Sequence, residues 1–232
     1  MDIVILAAGL GSRLKNLTSD RPKAMVSVKN KTLIDHAIDF IHQDKVNQIY
    51  VVGGYEFRVL QKHLEQKVKI KLIENKDYKK GSTLTIDKAI PYLNDSFLLM
   101  NVDHIYPSQM FEKIYQFADE SKIIAMVDSD RDLVDDDMKV KLDEKARISR
   151  IDKKLTDYEA GYIGMTFIGK NMLEIYKNGL AEVIENQSGS ANVEAVLDCL
   201  SKKINIDVLD LSGFGWHEVD TQEDKNKAEK AL

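Results

Sequence analysis

Three stretches of this chain carry residue types that could do chemistry on a phosphate or cover an acceptor for it. The first is Leu6-Ala7-Ala8-Gly9-Leu10-Gly11-Ser12-Arg13-Leu14, with a second cation in Pro22-Lys23-Ala24. Glycines behind a strand let the backbone approach a phosphate closely, and consecutive N–H groups can cradle its oxygens. No Gly-Lys-Ser/Thr follows, which excludes the common P-loop. Arg13 and Leu14 stand where a dinucleotide-binding turn has its third glycine, which excludes that turn too. Either cation alone reads as surface solvation. Together, Arg13 and Lys23 suit a triphosphate, whose charge builds as its α-phosphorus is attacked. The second stretch is Asn101-Val102-Asp103-His104. An aspartate closing a strand in the same crevice could hold Mg²⁺, or could serve as a cap or turn residue. The third is the acidic run from Asp128 to Asp137. It reads as a solvated loop or as a loop over an acceptor site, where Asp130 and Arg131 could hydrogen-bond to hydroxyls.

These residues need a scaffold, and the hydrophobic pattern supplies one. Ile3 to Ala7 is a continuous apolar run, as in a central parallel strand. Helical spacing over Leu33–Ile41 and a strand over Gln48–Gly54 follow. Tyr55–Gln66 reads as a helix, Ile70–Glu74 as a strand, Ser82–Leu93 as a helix and Phe97–Asp103 as a strand. Strand alternating with helix is the pattern of βαβ units on a parallel sheet. Ligands of such sheets sit beyond the carboxyl ends of the strands. The Gly9 turn, Gly53-Gly54 and Asp103 all fall at those ends, so one crevice could collect them. The later half is mixed. Strands are expected at Ile123–Val127, Lys139–Leu142, Ile148–Ile151, Ile163–Ile168 and Ile206–Leu211. Helices are expected at Asn171–Asn178, Val193–Lys202 and Thr221–Leu232. Thr221 with Asp224 three residues on is a helix N-cap pattern.

The bulk numbers exclude several classes. With 232 residues there is room for one sizeable core or at most two small ones. A net charge of −5 argues against a broad nucleic-acid or anionic-membrane surface. The single cysteine, Cys199, permits no internal disulfide and no thiol zinc site. It reads as a core residue on a helix, and a reducing compartment fits. The opening Met1-Asp2-Ile3 lacks the basic head of a signal peptide, and no apolar stretch approaches a membrane span. A cytoplasmic protein is expected. His36, His42 and His63 have no spaced acid or thiol partner and read as surface or half-buried residues.

The block Leu6 to Leu14 with Pro22-Lys23 resembles the signature of the sugar-nucleotidyltransferase superfamily. The resemblance implies an α/β fold: a Rossmann-like, mixed and mostly parallel sheet with helices on both faces, as in nucleotide-diphospho-sugar transferases. It implies one nucleotidyltransferase domain over 1–232, the first half binding nucleotide and the second half the acceptor. It implies Mg²⁺ as cofactor. Leu6, Ala7, Ala8, Gly9, Gly11 and Ser12 would wrap the nucleotide phosphates, and Arg13 and Lys23 would contact them. Asp103 takes the metal role, and Gly215-Trp216-His217-Glu218-Val219-Asp220-Thr221 maps the second metal aspartate onto Asp220. Gly81 and Ser82, at the start of the third helix, take base recognition, with Gly53 and Tyr55 lining the pocket. Ser82 reads equally as the cap of that helix.

The order Met138-Lys139-Val140-Lys141-Leu142, Ile148 to Leu155, then Gly161-Tyr162-Ile163-Gly164-Met165 is similar to small cytidylyltransferases. Their acceptors include inositol 1-phosphate, phosphocholine and 2-aminoethylphosphonate. Lys153 falls on a lysine position of that subgroup and would hold the acceptor phosphate. It could also be a solvated lysine. Asp152 stands where the subgroup has glycine. The expected reaction is transfer of CMP from CTP to a phosphorylated small alcohol, with release of pyrophosphate. The alternatives are a sugar-1-phosphate uridylyl- or guanylyltransferase and a non-catalytic nucleotide-binding module. The aromatic residues of the second half are scattered, so no cage for a quaternary ammonium is legible. A phosphorylated polyol or similar neutral alcohol is therefore favoured over phosphocholine. Carboxylates of the acidic loop could also pair with a cationic head group.

Overall fold

The computed structural model describes residues 1–232. Its strands are β1 (Asp2–Ala7), β2 (Ser27–Val28), β3 (Lys31–Thr32), β4 (Ile49–Gly53), β5 (Ile70–Glu74), β6 (Phe97–Asn101), β7 (His104–Ile105), β8 (Ile123–Asp128), β9 (Lys139–Leu142), β10 (Ile148–Asp152), β11 (Ala160–Ile168), β12 (Asp207–Asp210) and β13 (His217–Glu218). The helices are α1 (Leu33–Phe40), α2 (Phe57–Leu64), α3 (Ser82–Ala89), α4 (Ser108–Phe117), α5 (Leu173–Asn186), α6 (Glu194–Ser201) and α7 (Gln222–Ala231).

The main sheet has nine strands, with the order β10-β9-β11-β6-β1-β4-β5 and with β8 and β12 joined on through β11. Strands β6, β1, β4 and β5 run parallel, while β11 is antiparallel to β6, β8 and β9. Side chains alternate along β1. Ile3, Ile5 and Ala7 enter one apolar layer, and Val4 and Leu6 the other. Helices α1, α2 and α4 cover the first face with Ile34, Phe40, Leu60, Phe111 and Ile114. Helices α3, α5 and α6 cover the second with Ile86, Tyr176, Leu180, Val196 and Leu200. Full burial of side chains such as Ile3 and Ile5 contributes about 1.5–3 kcal/mol each. A third, smaller layer packs Ala228 of α7 on Leu14, Val26, Val28, Leu33, Ile105 and Val219. This layer anchors the turn behind the glycines. No helix is long and apolar enough to cross a membrane.

The parallel half matches its apolar pattern closely. Thr221 caps α7 through Asp224, with the reciprocal bonds of a capping box. Helix α2 begins only after Glu56, which is held at φ 45. Helix α3 gives way to a 3₁₀ turn at Ile90–Tyr92, where Pro91 lacks an N–H. Helix α5 runs for 14 residues to Asn186, well past the expected end at Asn178, and Gly179 sits inside it against Leu200 of α6. A glycine there lets the two helices approach closely. Helix α4 was not anticipated, although Met110, Phe111 and Ile114 follow its packing face.

Ser82 does not cap α3. Gly81 holds the cap position with extended backbone, and the Ser82 hydroxyl instead accepts the Val193 N–H at 2.9 Å. The histidines meet partners that their spacing hides. His63 reaches Asp35 of α1 at 2.8 Å, and the His36 ring reaches the Val28 carbonyl at 3.0 Å. Cys199 lies on α6 and is half-buried rather than fully enclosed.

Candidate active site

The carboxyl ends of β1 and β6 open into a cleft of about 370 Å³, within the range of small-molecule sites. The backbone from Ala8 to Ser12 forms one wall. Gly11 there has φ +65, and an added Cβ would sit 3.0 Å from the Lys23 and Thr18 side chains. Only glycine supplies both the left-handed turn and the close approach. The Gly11 carbonyl accepts the Thr18 hydroxyl at 3.0 Å and the Leu14 N–H at 2.9 Å, which ties the loop down.

Pro22 leads into a 3₁₀ turn that buries Lys23. Its Nζ donates to Asp103 Oδ2 at 2.6 Å and also to Asp220. Two short strands make this meeting possible. β7 follows Asp103 and pairs antiparallel with β13, two residues before Asp220. The Val219 N–H donates to the Asp103 carbonyl at 2.9 Å and fixes the register. Residues 117 positions apart (220 − 103) are thus held on one ammonium.

The polar network continues across the cleft. Arg13 donates to Asp220 at 2.5 Å and also pairs with Asp136 of the acidic loop. Asp136 in turn accepts from Lys153 Nζ at 2.5 Å. On the other side, His104 Nδ1 lies 2.7 Å from Asp103 Oδ1. Burial pushes the Asp103 carboxyl up, but Lys23 and His104 overcome it and hold Asp103 far below the usual carboxylate range. Burial likewise pushes His104 down, and Asp103 more than restores it. Burial raises Glu218, which lies beside the same groups.

Asp103, His104 and Glu218 place ligand atoms within 4.8 Å of one another. Asp220 joins them through Lys23. Hard cations such as Mg²⁺ take oxygen ligands, and imidazole suits softer metals. The convergent Asp103, Asp220 and Glu218 carboxylates therefore fit a hard divalent cation, with His104 orienting Asp103.

Of the residues singled out in the sequence, Leu6, Ala8, Gly9, Gly11, Ser12, Arg13, Lys23, Ser82, Asp103, Lys153 and Asp220 line this cleft. The others lie outside the lining. Ala7 is buried in the apolar layer. Gly53 lies against Phe57 and Leu60. The Tyr55 hydroxyl donates to the Ser19 carbonyl at 3.1 Å. Gly81 is pressed on the Ala191 backbone. The Asp130 N–H turns back to Asp128 at 3.1 Å, and the Arg131 guanidinium lies over Trp216 at 4.2 Å. Asp128 and Asp136, offered by the sequence only as part of the acidic run, also line the cleft, as do Tyr162, Glu194, Trp216 and Glu218, which had no assigned role.

Residues 3–204 match the MobA-like NTP transferase domain model. The chain is 28% identical over 232 residues to a bifunctional IPC transferase and DIPP synthase of Aquifex aeolicus, covering 99% of this chain and 51% of that protein. It is 50% identical over 66 residues to a CTP:phosphoglutamine cytidylyltransferase of Campylobacter jejuni, 28% of this chain and 26% of that one. Over its full length it superposes on the inositol-1-phosphate CTP transferase structure from T. maritima, with a TM-score of 0.82 and 22% identity, covering 97% of that chain. Several full-length matches leave about half of the relative uncovered, so the chain spans about half the length of these curated relatives.

Proposed function

We propose, from the premise that this chain belongs to the MobA-like NTP transferase domain family, that it transfers CMP from CTP to a phosphorylated small alcohol such as inositol 1-phosphate or phosphocholine. Pyrophosphate is the leaving product. The observation that carries this reading is the convergence of Arg13, Lys23, Asp103 and Asp220 in one cleft beside an open glycine loop. A binding module needs no such pair of acids around a buried lysine. The names of the A. aeolicus and C. jejuni relatives support a transferase and CTP as donor.

The chemistry follows from the charges. A phosphate monoester is largely dianionic at neutral pH, since its second pKa lies near 6. Its oxygen attacks the α-phosphorus, the bond to the bridging oxygen breaks, and no general base is required. The protein's work is positioning and charge stabilisation. The backbone from Ala8 to Ser12 meets the donor phosphates, and Arg13 and Lys23 neutralise the charge that develops on them. Lys153, across the cleft, holds the acceptor phosphate. Asp103 and Asp220, with Glu218 beside them, would hold Mg²⁺, which when bound supplies Lewis-acid neutralisation of phosphate oxygens. Both halves of the chain line the cleft, which supports reading residues 1–232 as one catalytic domain, with donor groups from the first half and acceptor groups mainly from the second.

The test is pyrophosphate release from each NTP against a panel of phosphorylated acceptors, with and without a chelator. Turnover with CTP that is lost in chelator is the expected result. Preference for UTP or GTP with a sugar 1-phosphate would replace the cytidylyl reading, and no release from any pair would overturn it.

A further inference from the structure

Glu194 opens α6 and lines the acceptor side of the cleft, yet it is only 9% exposed. Its Oε2 is buried with no hydrogen-bond partner. The other acids of that wall are engaged. Asp128 accepts the Trp216 indole N–H at 2.7 Å, Asp136 holds Arg13 and Lys153, and Asp137 accepts the Val134 N–H at 2.7 Å. Burial raises the Glu194 carboxyl above its ordinary range, and the two cations that pull it down are already taken, Lys153 by Asp136 and His104 by Asp103. A carboxyl buried without a partner is pushed toward its neutral form, and an incoming cation restores the charged form and fills the empty hydrogen-bond position.

The geometry points to Glu194 as the residue that reads the acceptor, pairing with a primary ammonium carried on the phosphorylated small molecule. A primary ammonium brings both the missing charge and N–H donors for the carboxylate. A neutral polyol brings donors without charge. A quaternary ammonium brings charge without donors and needs an open aromatic face. Trp216 does not offer one. His104 stacks on its ring at 5.2 Å and 18°, and Arg131 lies over it at 4.2 Å. The Tyr162 hydroxyl is paired with Thr166 at 2.9 Å. The inference rests on the transferase reading above and narrows its acceptor.

The experiment measures CTP-dependent pyrophosphate release with phosphoethanolamine, phosphocholine and inositol 1-phosphate, for the wild type and for Glu194→Gln. The wild type should show its highest kcat/KM with phosphoethanolamine. In Glu194→Gln the ratio of kcat/KM for phosphoethanolamine over inositol 1-phosphate should fall at least about tenfold, mainly through KM. The ratio is internally controlled, so a less stable variant still reports. Wild-type preference for inositol 1-phosphate or phosphocholine would overturn the assignment while leaving the transferase reading intact. So would an unmoved ratio with a lowered melting temperature. That outcome would place Glu194 in an internal network with Tyr176, whose hydroxyl is also buried without a partner. Absence of release from any NTP with any acceptor would overturn both readings.

Discussion

Lys23→Met removes one charge and keeps most of the buried stem. The Lys23 side chain is 9% exposed, and its two partners, Asp103 and Asp220, are 22% and 17% exposed. Removing one partner of a buried ion pair costs roughly 3–5 kcal/mol, because the other charge is stranded. Here each stranded carboxylate keeps a second partner: His104 for Asp103 and Arg13 for Asp220. The expected loss is therefore lower, about 2–3 kcal/mol. For a chain of 232 residues each kcal/mol moves the melting temperature by about 2–4 °C, so the metal-free variant should melt about 4–12 °C lower. Added Mg²⁺ should recover part of this difference, since a divalent cation can neutralise the same carboxylates. Turnover should stay depressed by about 10²- to 10³-fold, the value of a cation aimed at developing charge. Thermal melts with and without Mg²⁺, paired with pyrophosphate release, separate the two effects. A melt that matches wild type in chelator, or near-wild-type turnover, would refute the placement of Lys23 at the centre of the network.

Asp220→Asn should raise the Mg²⁺ concentration needed for half-maximal turnover, and full activity in excess chelator would rule out a metal on these carboxylates. Asp136→Ala should free Arg13 and Lys153 for phosphates. The Arg13 pair is about half exposed on both sides and is worth roughly 0–1 kcal/mol, so KM for nucleotide should fall by up to about fivefold with the melt unchanged. A rise in KM would mean that Asp136 binds substrate. Asp35 gives a pH test away from the cleft. Burial pushes its carboxyl up, but Lys67, Thr32 and His63 pull it below its ordinary value. Its stabilising contribution is thus complete above the unfolded carboxylate pKa and lost as pH falls through the lowered one. Asp35→Asn should cost about 1 kcal/mol at neutral pH, and denaturant titrations should show that gap closing under acid. A gap independent of pH would contradict the assignment.

The donor side of the cleft was legible because its signals are local. A strand, a glycine turn and a cation lie within about twenty residues, and the carboxyl-end rule puts Asp103 beside them. Gly81 and Tyr55 fell outside the lining for reasons that only packing reveals: one is pressed on the Ala191 backbone and the other reaches back to Ser19. The acceptor side is built from residues brought together over long separations. Asp136 is an acid in an acidic loop and looks solvated until Arg13 and Lys153 meet it. Glu194 was hidden by a rule that is usually right. An acid in the first turn of a helix suits the helix dipole and needs no other explanation, and nothing in Val193-Glu194-Ala195 signals that its carboxyl will be buried.

The aromatic residues show how folding changes what a scattered sequence pattern amounts to. In the sequence, Trp216 sits in the metal segment and the tyrosines are scattered, which argued against a quaternary ammonium and left a neutral polyol favoured. Folding brings Trp216, His104 and Tyr106 into one stack, so an aromatic cluster does exist beside the cleft. It is spent internally, with Arg131 over Trp216 and Trp216 donating to Asp128. The rings that the sequence scatters are thus gathered, but the faces of Trp216 are covered by His104 and Arg131. What the scattered tyrosines could not show is the remaining charge. Once Asp128, Asp136 and Asp137 have taken their own partners, Glu194 Oε2 is left without one in the cleft wall, and burial holds its carboxyl above the ordinary range. With the rings covered and Glu194 unpartnered, the proposed primary ammonium is the head group that would bring Glu194 both a charge and N–H donors.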